Sequence, residues 1–430
     1  MHRPRHIVLA ASLGAAALAA GAVGAAPLAS PWSRISGPTQ PGVQLGLART
    51  PDGVLHVVWN RGSTPTSIFE TRLSASGKPS GTSTVATGFD GNGGLALLTM
   101  PDKTLRLFAA GQTHPNSSAA GINTFTAPEA GVKWALQNGV YWGGAVASSA
   151  GLIGATLTKN GQPVTAWRGF AAEGLPPSSI PQNAYIADQT GSRLATDSAS
   201  GAVVIAGTTV AGKGGVAVQQ ILPGHGAQVL LPLQSNLTDY NNGISGRIGA
   251  PGVFVAYADG KSARLYRYGG SAKTLATGPY NSATVCTGPE GRLWVAWGGS
   301  AGGLFVTRSN RAVSAFEPVQ KLSLPQGSGL TFVQCEGSAG PVDVFADSGG
   351  FFHTHLLARL SLTAHATASK VAISARDAGD PVAGVAITVG GRHLKTDAHG
   401  VASLTLRPGS YAASAAVAGY VPASTRFLVR

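Results

Sequence analysis

A short apolar phrase, often ending in an aromatic residue, returns seven times along the chain at intervals of 39 to 59 residues. The copies are VLHVVW, TLRLFAA, PVTAW, AVVIAG, VFVAYA, LWVAW and VDVFAD, which begin near residues 54, 104, 163, 202, 253, 293 and 342. A period of about 40–50 residues with several short strands per unit is typical of a β-propeller blade. The repeat therefore predicts an all-β propeller of seven blades, with six blades as the alternative.

The composition agrees with this interpretation. The 430 residues include 60 Gly and 26 Pro, and only 11% of all residues are charged. Short runs rich in Val, Thr and aromatic residues are bounded by Gly, Pro, Asn and Ser clusters, which is the pattern of strands joined by turns.

Residues 1–25 have the three parts of a secretory signal. Arg3 and Arg5 supply the positive start, an apolar stretch follows, and Val23-Gly24-Ala25 offers the small residues that a signal peptidase needs. We therefore expect a secreted bacterial protein, extracellular or associated with the cell surface, without a membrane span in the mature chain. A retained N-terminal anchor is the alternative.

The chain carries a formal net charge of +13, which becomes +11 when the two arginines of the signal are removed. The basic residues are scattered singly and form no concentrated stripe, a pattern that argues against specific nucleic-acid binding. A basic secreted protein attracts polyanions, so the expected partner is a glycan or an anionic cell-wall polymer. The mature protein is expected to be a monomer without a cofactor.

The two cysteines occupy equivalent positions in consecutive repeats. Cys286 and Cys335 each precede the apolar phrase of their own repeat by seven residues. Neighbouring blades place such positions side by side around the central channel, and export permits oxidation. A disulfide between adjacent blades is predicted, with two unbonded buried cysteines as the alternative.

A change of pattern divides the chain into a propeller at 31–363, a short Ala/Thr/Ser linker at 364–369 and a small β-sandwich at 370–430. The last segment contains the phrases GDPVAGVAITV, TDAHGVASLTLRPGSY and AGYVPAS. With these phrases it resembles the carboxypeptidase regulatory-like family of transthyretin-type or Cna-B-type sandwiches. The resemblance implies a structural or adhesive module without catalysis. Some relatives carry a Lys–Asn isopeptide bond; Lys370 opens the first strand here, but the final strand has no Asn, so no such bond is expected.

The propeller segment resembles the sialidase-like, BNR-type propellers of secreted bacterial proteins. The resemblance depends on PDGVLHVVWN, PEGRLWVAWGG and RSNRAVSAFEPVQKL, the last of which looks like a decayed Asp-box. It implies an exo-acting glycosidase, which would need an arginine triad, an acid and a Tyr–Glu nucleophile. Only Arg34-Ile35 matches the expected arginine motif, so no catalytic residue is assigned.

The remaining chemistry-bearing motifs are weak. The segment 207–214 is a near-miss for a phosphate-binding loop, because Gly214 stands where Ser or Thr should hold magnesium. His353 and His355 share one face of a predicted strand, a spacing that suits a metal, but no third ligand is visible nearby. We interpret them as exposed strand histidines and predict no metal site.

One set of connections stands out, because those joining the last strand of one repeat to the first strand of the next combine an aromatic residue with Asn. Such connections emerge on one face of a propeller, where aromatic rings can stack on sugars and amides can bond to hydroxyls. Ordinary turn chemistry is the alternative. The predicted ligand-binding residues are Phe89, Asp90, Asn92, Asn138, Tyr141, Trp142, Tyr240, Asn241, Tyr280 and Asn281.

Together these features predict a non-catalytic protein that binds or scaffolds carbohydrate or cell-wall polymer. An exo-glycosidase of the sialidase-like class and a protein–protein interaction platform are the two alternatives.

Overall fold

The structure is a computed structural model of the full chain. It describes residues 31–37, 45–61, 66–89, 95–100, 102–111, 121–131, 133–140, 143–148, 152–159, 162–169, 185–187, 189–209, 215–222, 226–232, 242–299, 303–325, 329–330 and 332–430. The predicted signal at 1–25 lies outside these ranges. No helix of the described part of the chain has the length and apolarity needed to traverse a lipid bilayer.

Seven four-stranded antiparallel sheets account for the described strands of the first 356 residues, and each sheet is one propeller blade. The strands of blades 1–3 are β2 (Gly46–Arg49), β3 (Leu55–Asn60), β4 (Thr66–Leu73), β5 (Pro79–Phe89); β6 (Leu95–Thr99), β7 (Leu105–Gly111), β8 (Gly121–Ala127), β9 (Ala135–Val140); and β10 (Gly143–Ser148), β11 (Leu152–Lys159), β12 (Gln162–Gly169), β13 (Tyr185–Ala187).

Blades 4–6 follow the same order. Their strands are β14 (Gln189–Thr196), β15 (Val203–Thr209), β16 (Gly215–Leu222), β17 (Val229–Pro232); β18 (Asn242–Ser245), β19 (Phe254–Ala258), β20 (Ser262–Arg267), β21 (Ala272–Thr277); and β22 (Ser282–Thr287), β23 (Leu293–Gly299), β24 (Gly303–Arg308), β25 (Gln320–Leu322). A short 3-10 turn, Pro289–Gly291, joins β22 to β23.

Blade 7 is completed by the beginning of the chain. It contains β26 (Phe332–Glu336), β27 (Val342–Asp347) and β28 (Phe351–Leu356), and its outer strand is β1 (Ser33–Arg34), which pairs with β28. This pairing closes the ring and covers an edge strand that would otherwise be open. The segment around Arg34, considered from the sequence as an arginine motif, is therefore the closing strand.

The seven-blade prediction is confirmed, and six of the seven apolar phrases form the second strand of their blade. The copy at 163–167 is the exception, because it lies in β12, the third strand of blade 3. The described second strands are continuously buried where they face neighbouring blades on both sides, as in β3, β19, β23 and β27. Apolar burial between adjacent sheets, such as that of Trp297 and Tyr257, is the main term that holds the blades together.

The C-terminal part is a two-sheet sandwich. One sheet contains β30 (Ser361–Thr367), β31 (Lys370–Asp377), β32 (Asp380–Pro381) and β35 (Val401–Thr405); the other contains β33 (Ala386–Val389), β34 (Arg392–Lys395), β36 (Gly409–Ala415) and β38 (Ala423–Val429). The two-residue strands β29 (Ala358–Arg359) and β37 (Tyr420–Val421) pair in parallel beside it.

The segment 364–369, predicted to be a linker, lies inside the sandwich. Its first four residues belong to β30, and Ala368, with φ of 51°, turns the chain into β31. Leu362 is buried, and Ala364 and Ala366 pack against the same core. Alternate residues therefore form the inner face of a strand, although the composition of this stretch is that of a flexible linker. The propeller therefore ends near Leu356, a few residues before the predicted boundary.

The sandwich is joined to blade 6 by buried charges. The Asp377 side chain is fully buried; its Oδ2 accepts a hydrogen bond from Arg308 Nη1 at 2.7 Å and another from Tyr420 OH at 2.6 Å. Arg292 Nη1 lies 2.7 Å from Asp380 Oδ2, and Arg292 Nε lies 3.4 Å from Asp377 Oδ2. Such an interface fixes the orientation of the two domains, since each buried charge requires its partner.

Candidate functional site at the channel mouth

The strand order defines two faces of the propeller. The innermost strands β2, β6, β10, β14, β18, β22 and β26 each follow the outermost strand of the preceding blade, and the strands within every blade are antiparallel. All innermost strands therefore begin at one face, which we call the entry face, and the connections between blades arrive there. The four aromatic–Asn connections predicted from the sequence are flanked by strand ends at the entry face.

The structure describes only part of the predicted set. Phe89 is the last residue of β5, where its backbone pairs with Thr66. Asn138 lies within β9, where its backbone pairs with Thr124. Tyr280 and Asn281 are fully described and lie directly before β22. The predicted residues outside the described ranges are Asp90, Asn92, Tyr141, Trp142, Tyr240 and Asn241.

Tyr280 is 7% exposed and packs between blades 5 and 6. Its ring makes edge contacts with Trp297, at a centroid distance of 6.4 Å, and with Phe305, at 5.6 Å. The Tyr280 side chain therefore stabilises the contact between these blades, as edge-to-face aromatic pairs do.

Asn281 offers an unused hydrogen-bond acceptor. Its backbone NH donates to Gly298 O at 3.0 Å, while its Oδ1 is buried and has no hydrogen-bond partner among the described residues. A buried amide oxygen without a donor costs about 1–3 kcal/mol.

The channel behind the entry face contains a cavity of about 260 Å³ lined by innermost strands. Its polar wall residues include Arg193 and Glu336, and leucines such as Leu97 supply apolar surface. Gln334 bonds to both the N and the O of Leu45, at 3.2 and 3.1 Å, and so links blade 7 to blade 1. The wall thus combines charged groups, one amide side chain and apolar surface, as small-molecule sites do.

The predicted disulfide is present between Cys286 on β22 and Cys335 on β26, with the Cα atoms 5.8 Å apart. Both cysteines line the channel cavity. The covalent bond joins the innermost strands of blades 6 and 7, as the equivalent repeat positions predicted.

The interpretation of His353 and His355 as exposed is wrong, because both lie buried on β28. Their ring nitrogens lie 2.7 and 2.9 Å from the same oxygen, Asp343 Oδ1, and Arg49 from blade 1 pairs with the other carboxylate oxygen. Burial alone would raise the pKa of Asp343, but the hydrogen bonds to the two histidines hold it well below its usual range. The sequence contained no local signal for this cluster, since Arg49 is almost 300 residues away.

No group of three or more His, Cys, Asp or Glu side chains in the described ranges is arranged to hold a metal ion.

The buried pair of His56 and Glu70 was not predicted from the sequence either. His56 Nδ1 lies 2.5 Å from Glu70 Oε1, and Glu70 Oε2 accepts hydrogen bonds from Ser83 and from Trp134 Nε1. Gly131 closes over this pair; a Cβ there would lie 2.1 Å from Glu70 Oε1. The carboxylate therefore connects blade 1 to blade 2 within a fully buried pair.

The fold and the channel together define a β-propeller protein with a disulfide-braced channel. No family model matches the chain. No curated protein matches it either.

The structure is similar to several solved propellers at low sequence identity. The BP39L lectin from Burkholderia pseudomallei is 13% identical, with a TM-score of 0.50 over 74% of this chain and 95% of that chain. A virginiamycin B lyase from Staphylococcus aureus is 10% identical, with a TM-score of 0.42 over 76% and 99%. An alpha-L-arabinanase from Penicillium chrysogenum is 13% identical, with a TM-score of 0.41 over 77% and 98%. At these identities the similarity concerns the fold alone.

Proposed function

We propose that the chain is a secreted, non-catalytic protein that binds carbohydrate or cell-wall polymer at the entry face of its propeller. The observation that supports this proposal most is the strand order, since each aromatic–Asn segment lies at the end of an outermost strand or in the connection to the next innermost strand. Residues far apart in sequence are thereby directed to one channel mouth.

The chemistry of the set suits a sugar. Tyr141, Trp142 and Tyr240 provide aromatic faces for the C–H surface of a pyranose ring, and Asn side chains both donate and accept hydrogen bonds. Since the Tyr280 ring packs between blades, the stacking role is assigned to Tyr141, Trp142 and Tyr240.

A binding role is favoured over hydrolysis by the contacts that three carboxylates of the propeller make. Glu70, Glu336 and Asp343 are each bonded to a histidine, an arginine or both. A glycosidase needs a carboxyl pair, or a tyrosine nucleophile with its helper, facing the scissile bond. These three carboxylates instead join strands and blades.

Export and charge indicate the place of action. The apolar stretch after Arg3 and Arg5 favours secretion, and the disulfide is consistent with an oxidising compartment. With a mature charge of +11, the protein is attracted to anionic wall polymers. The C-terminal sandwich is assigned a structural or adhesive role, in line with the carboxypeptidase regulatory-like resemblance of its turns.

The test is incubation of the purified mature protein with a panel of glycans and wall fragments, followed by mass spectrometry. We expect some members to be retained and no shorter products to form. Replacing Tyr141, Trp142 and Tyr240 together by Ala should weaken binding of a retained glycan at least tenfold, whereas Tyr411→Ala, in the sandwich, should leave it unchanged. New shorter products would indicate an enzyme, and equal binding by the triple variant would refute the channel-mouth site.

A further inference from the structure

A second cavity, of about 530 Å³, lies at the junction of blade 6 and the sandwich. Its volume is within the range of about 300–1,000 Å³ that is typical of small-molecule sites, which occur preferentially at domain interfaces. Blade 6 contributes the segment 316–318, and the sandwich and its leading strands contribute 359–362, 376, 378–379 and 421–424. It shares no lining residue with the channel cavity.

Arg359 and Arg376 line this cavity, and their guanidinium groups have few hydrogen-bond partners among the described residues. Arg359 Nε is buried and has no hydrogen-bond partner among the described residues. Arg376 donates one hydrogen bond, from Nη1 to Gly379 O at 3.3 Å. A guanidinium has five N–H donors in a planar fork that matches a carboxylate, so both side chains keep donors for a ligand.

The single acidic residue of the lining does not cancel this charge. Glu317 is 5% exposed, and burial, followed by the nearby Asp377 carboxylate, raises its pKa to about 8. Glu317 is therefore mostly protonated at neutral pH, and Asp377 is itself paired with Arg308. The lining then carries a net charge of two positive units, which favours an anionic ligand.

The rest of the lining is suited to hydroxyl groups and a ring. Ser361 and Ser424 are exposed and offer hydroxyls that both donate and accept. Phe316 is partly exposed at the wall, and Lys273 Nζ lies 4.6 Å from its ring centroid, so an aromatic edge and a further cation border the cavity. Leu360 and Leu362 are buried beneath, so the cavity has an apolar floor beside its charged groups.

We propose that this junction cavity binds a small ligand that combines a carboxylate with several hydroxyl groups, of the uronic-acid class. The carboxylate is held by Arg359 and Arg376, the hydroxyls by Ser361 and Ser424, and the sugar ring lies beside the edge of Phe316. The argument uses none of the entry-face residues, so it does not depend on the proposed function.

Isothermal titration of the mature protein with digalacturonate, using galactobiose as the neutral counterpart, tests the proposal. We expect digalacturonate to bind and galactobiose to bind at least tenfold more weakly. Arg376→Met and Arg359→Met should each weaken digalacturonate binding at least tenfold. Arg426→Met, on an exposed strand position of the same sandwich, is the control and should bind normally. The two independent arginine variants keep the test decisive if one of them folds poorly by circular dichroism.

The outcomes separate the two sites. No binding of digalacturonate, equal binding of galactobiose, or an equal effect of Arg426→Met and Arg376→Met would overturn the junction site. Binding that is lost in the Tyr141, Trp142 and Tyr240 triple variant but kept in Arg376→Met would also overturn it, while supporting the entry face. Binding that survives the triple variant and requires Arg376 supports the junction site whatever the entry face does.

Discussion

Replacing Asp377 by Asn should uncouple the sandwich from the propeller. The Asp377 carboxylate is fully buried and pairs with Arg308, which is 3% exposed, and with Arg292, which is 2% exposed. The two arginines belong to blade 6 and the carboxylate belongs to β31 of the sandwich. The Asp377 carboxylate therefore forms ion pairs across the junction between the two domains. Asn keeps the size and one oxygen but removes the negative charge.

The expected loss of stability depends on which buried charge loses its partner. Arg292 keeps Asp380, whose Oδ2 lies 2.7 Å from its Nη1, whereas the described ion pair of Arg308 is with Asp377 alone. Leaving one buried charge without its partner costs about 3–5 kcal/mol. We therefore expect Asp377→Asn to lower the stability of the docked sandwich by about 3 kcal/mol, at the lower end because Trp294 and Tyr420 still cover the Arg308 guanidinium.

A double-mutant cycle with Arg308→Met is the assay. Residues 370–430 contain no tryptophan, so tryptophan fluorescence reports urea unfolding of the propeller, while hydrogen exchange by mass spectrometry reports opening of 361–430. Asp377→Asn should reduce exchange protection at 361–430. The double variant should cost about 1–3 kcal/mol less than the sum of the single variants, because removing Arg308 removes the charge that Asp377 neutralised.

The control is Asp397→Asn, which changes an exposed turn carboxylate of the same sandwich where Asn can make similar turn bonds. Additivity within about 0.5 kcal/mol, or an effect of Asp377→Asn no larger than that of Asp397→Asn, would refute the reasoning that the buried charge pair holds the junction.

Two further predictions concern pH and oxidation. Because the pKa of Glu317 is raised to about 8 in the folded protein, the folded state binds this proton more tightly than the unfolded chain. Stability should therefore fall as pH rises from about 4.5 to about 8, and Glu317→Gln should flatten that slope in urea titrations at several pH values; an unchanged slope would contradict the assignment. Replacing Cys286 and Cys335 together by Ala should lower the free energy of unfolding by about 2–4 kcal/mol, as expected for a closed loop of about 50 residues. Reduction of the unsubstituted protein should have the same effect and should not affect the variant.

The local pattern was sufficient for the repeating unit. An apolar phrase such as LWVAW is buried on both faces of a central strand, so its composition reports burial directly. The disulfide between Cys286 and Cys335 could also be predicted, because equivalent positions of two consecutive repeats lie side by side in neighbouring blades. The same reasoning failed at 163–167, because an apolar run of five residues does not say whether it is the second or the third strand of its blade.

The sandwich boundary and the histidine pair show the limit of the local pattern. Small residues at 364–369 are compatible with a linker until a partner sheet covers their alternate side chains. His353 and His355 are compatible with exposure until Asp343 and Arg49 are brought against them. In each case the deciding contact is made by another strand, and composition does not record it.

For the candidate sites, the aromatic–Asn connections could be named from the sequence because strand order alone directs them to one face. The junction cavity could not be predicted from the sequence, because its lining residues are far apart along the chain. They come from blade 6, from β29 to β31 and from the segment 421–424. What the sequence determined by itself was the blade repeat, the cysteine pair and the all-β class, each of which depends on periodicity along the chain. What only the tertiary structure decided was the pairing of buried charges, such as Arg308 with Asp377, since a charge can be buried only where folding brings its partner within hydrogen-bond distance.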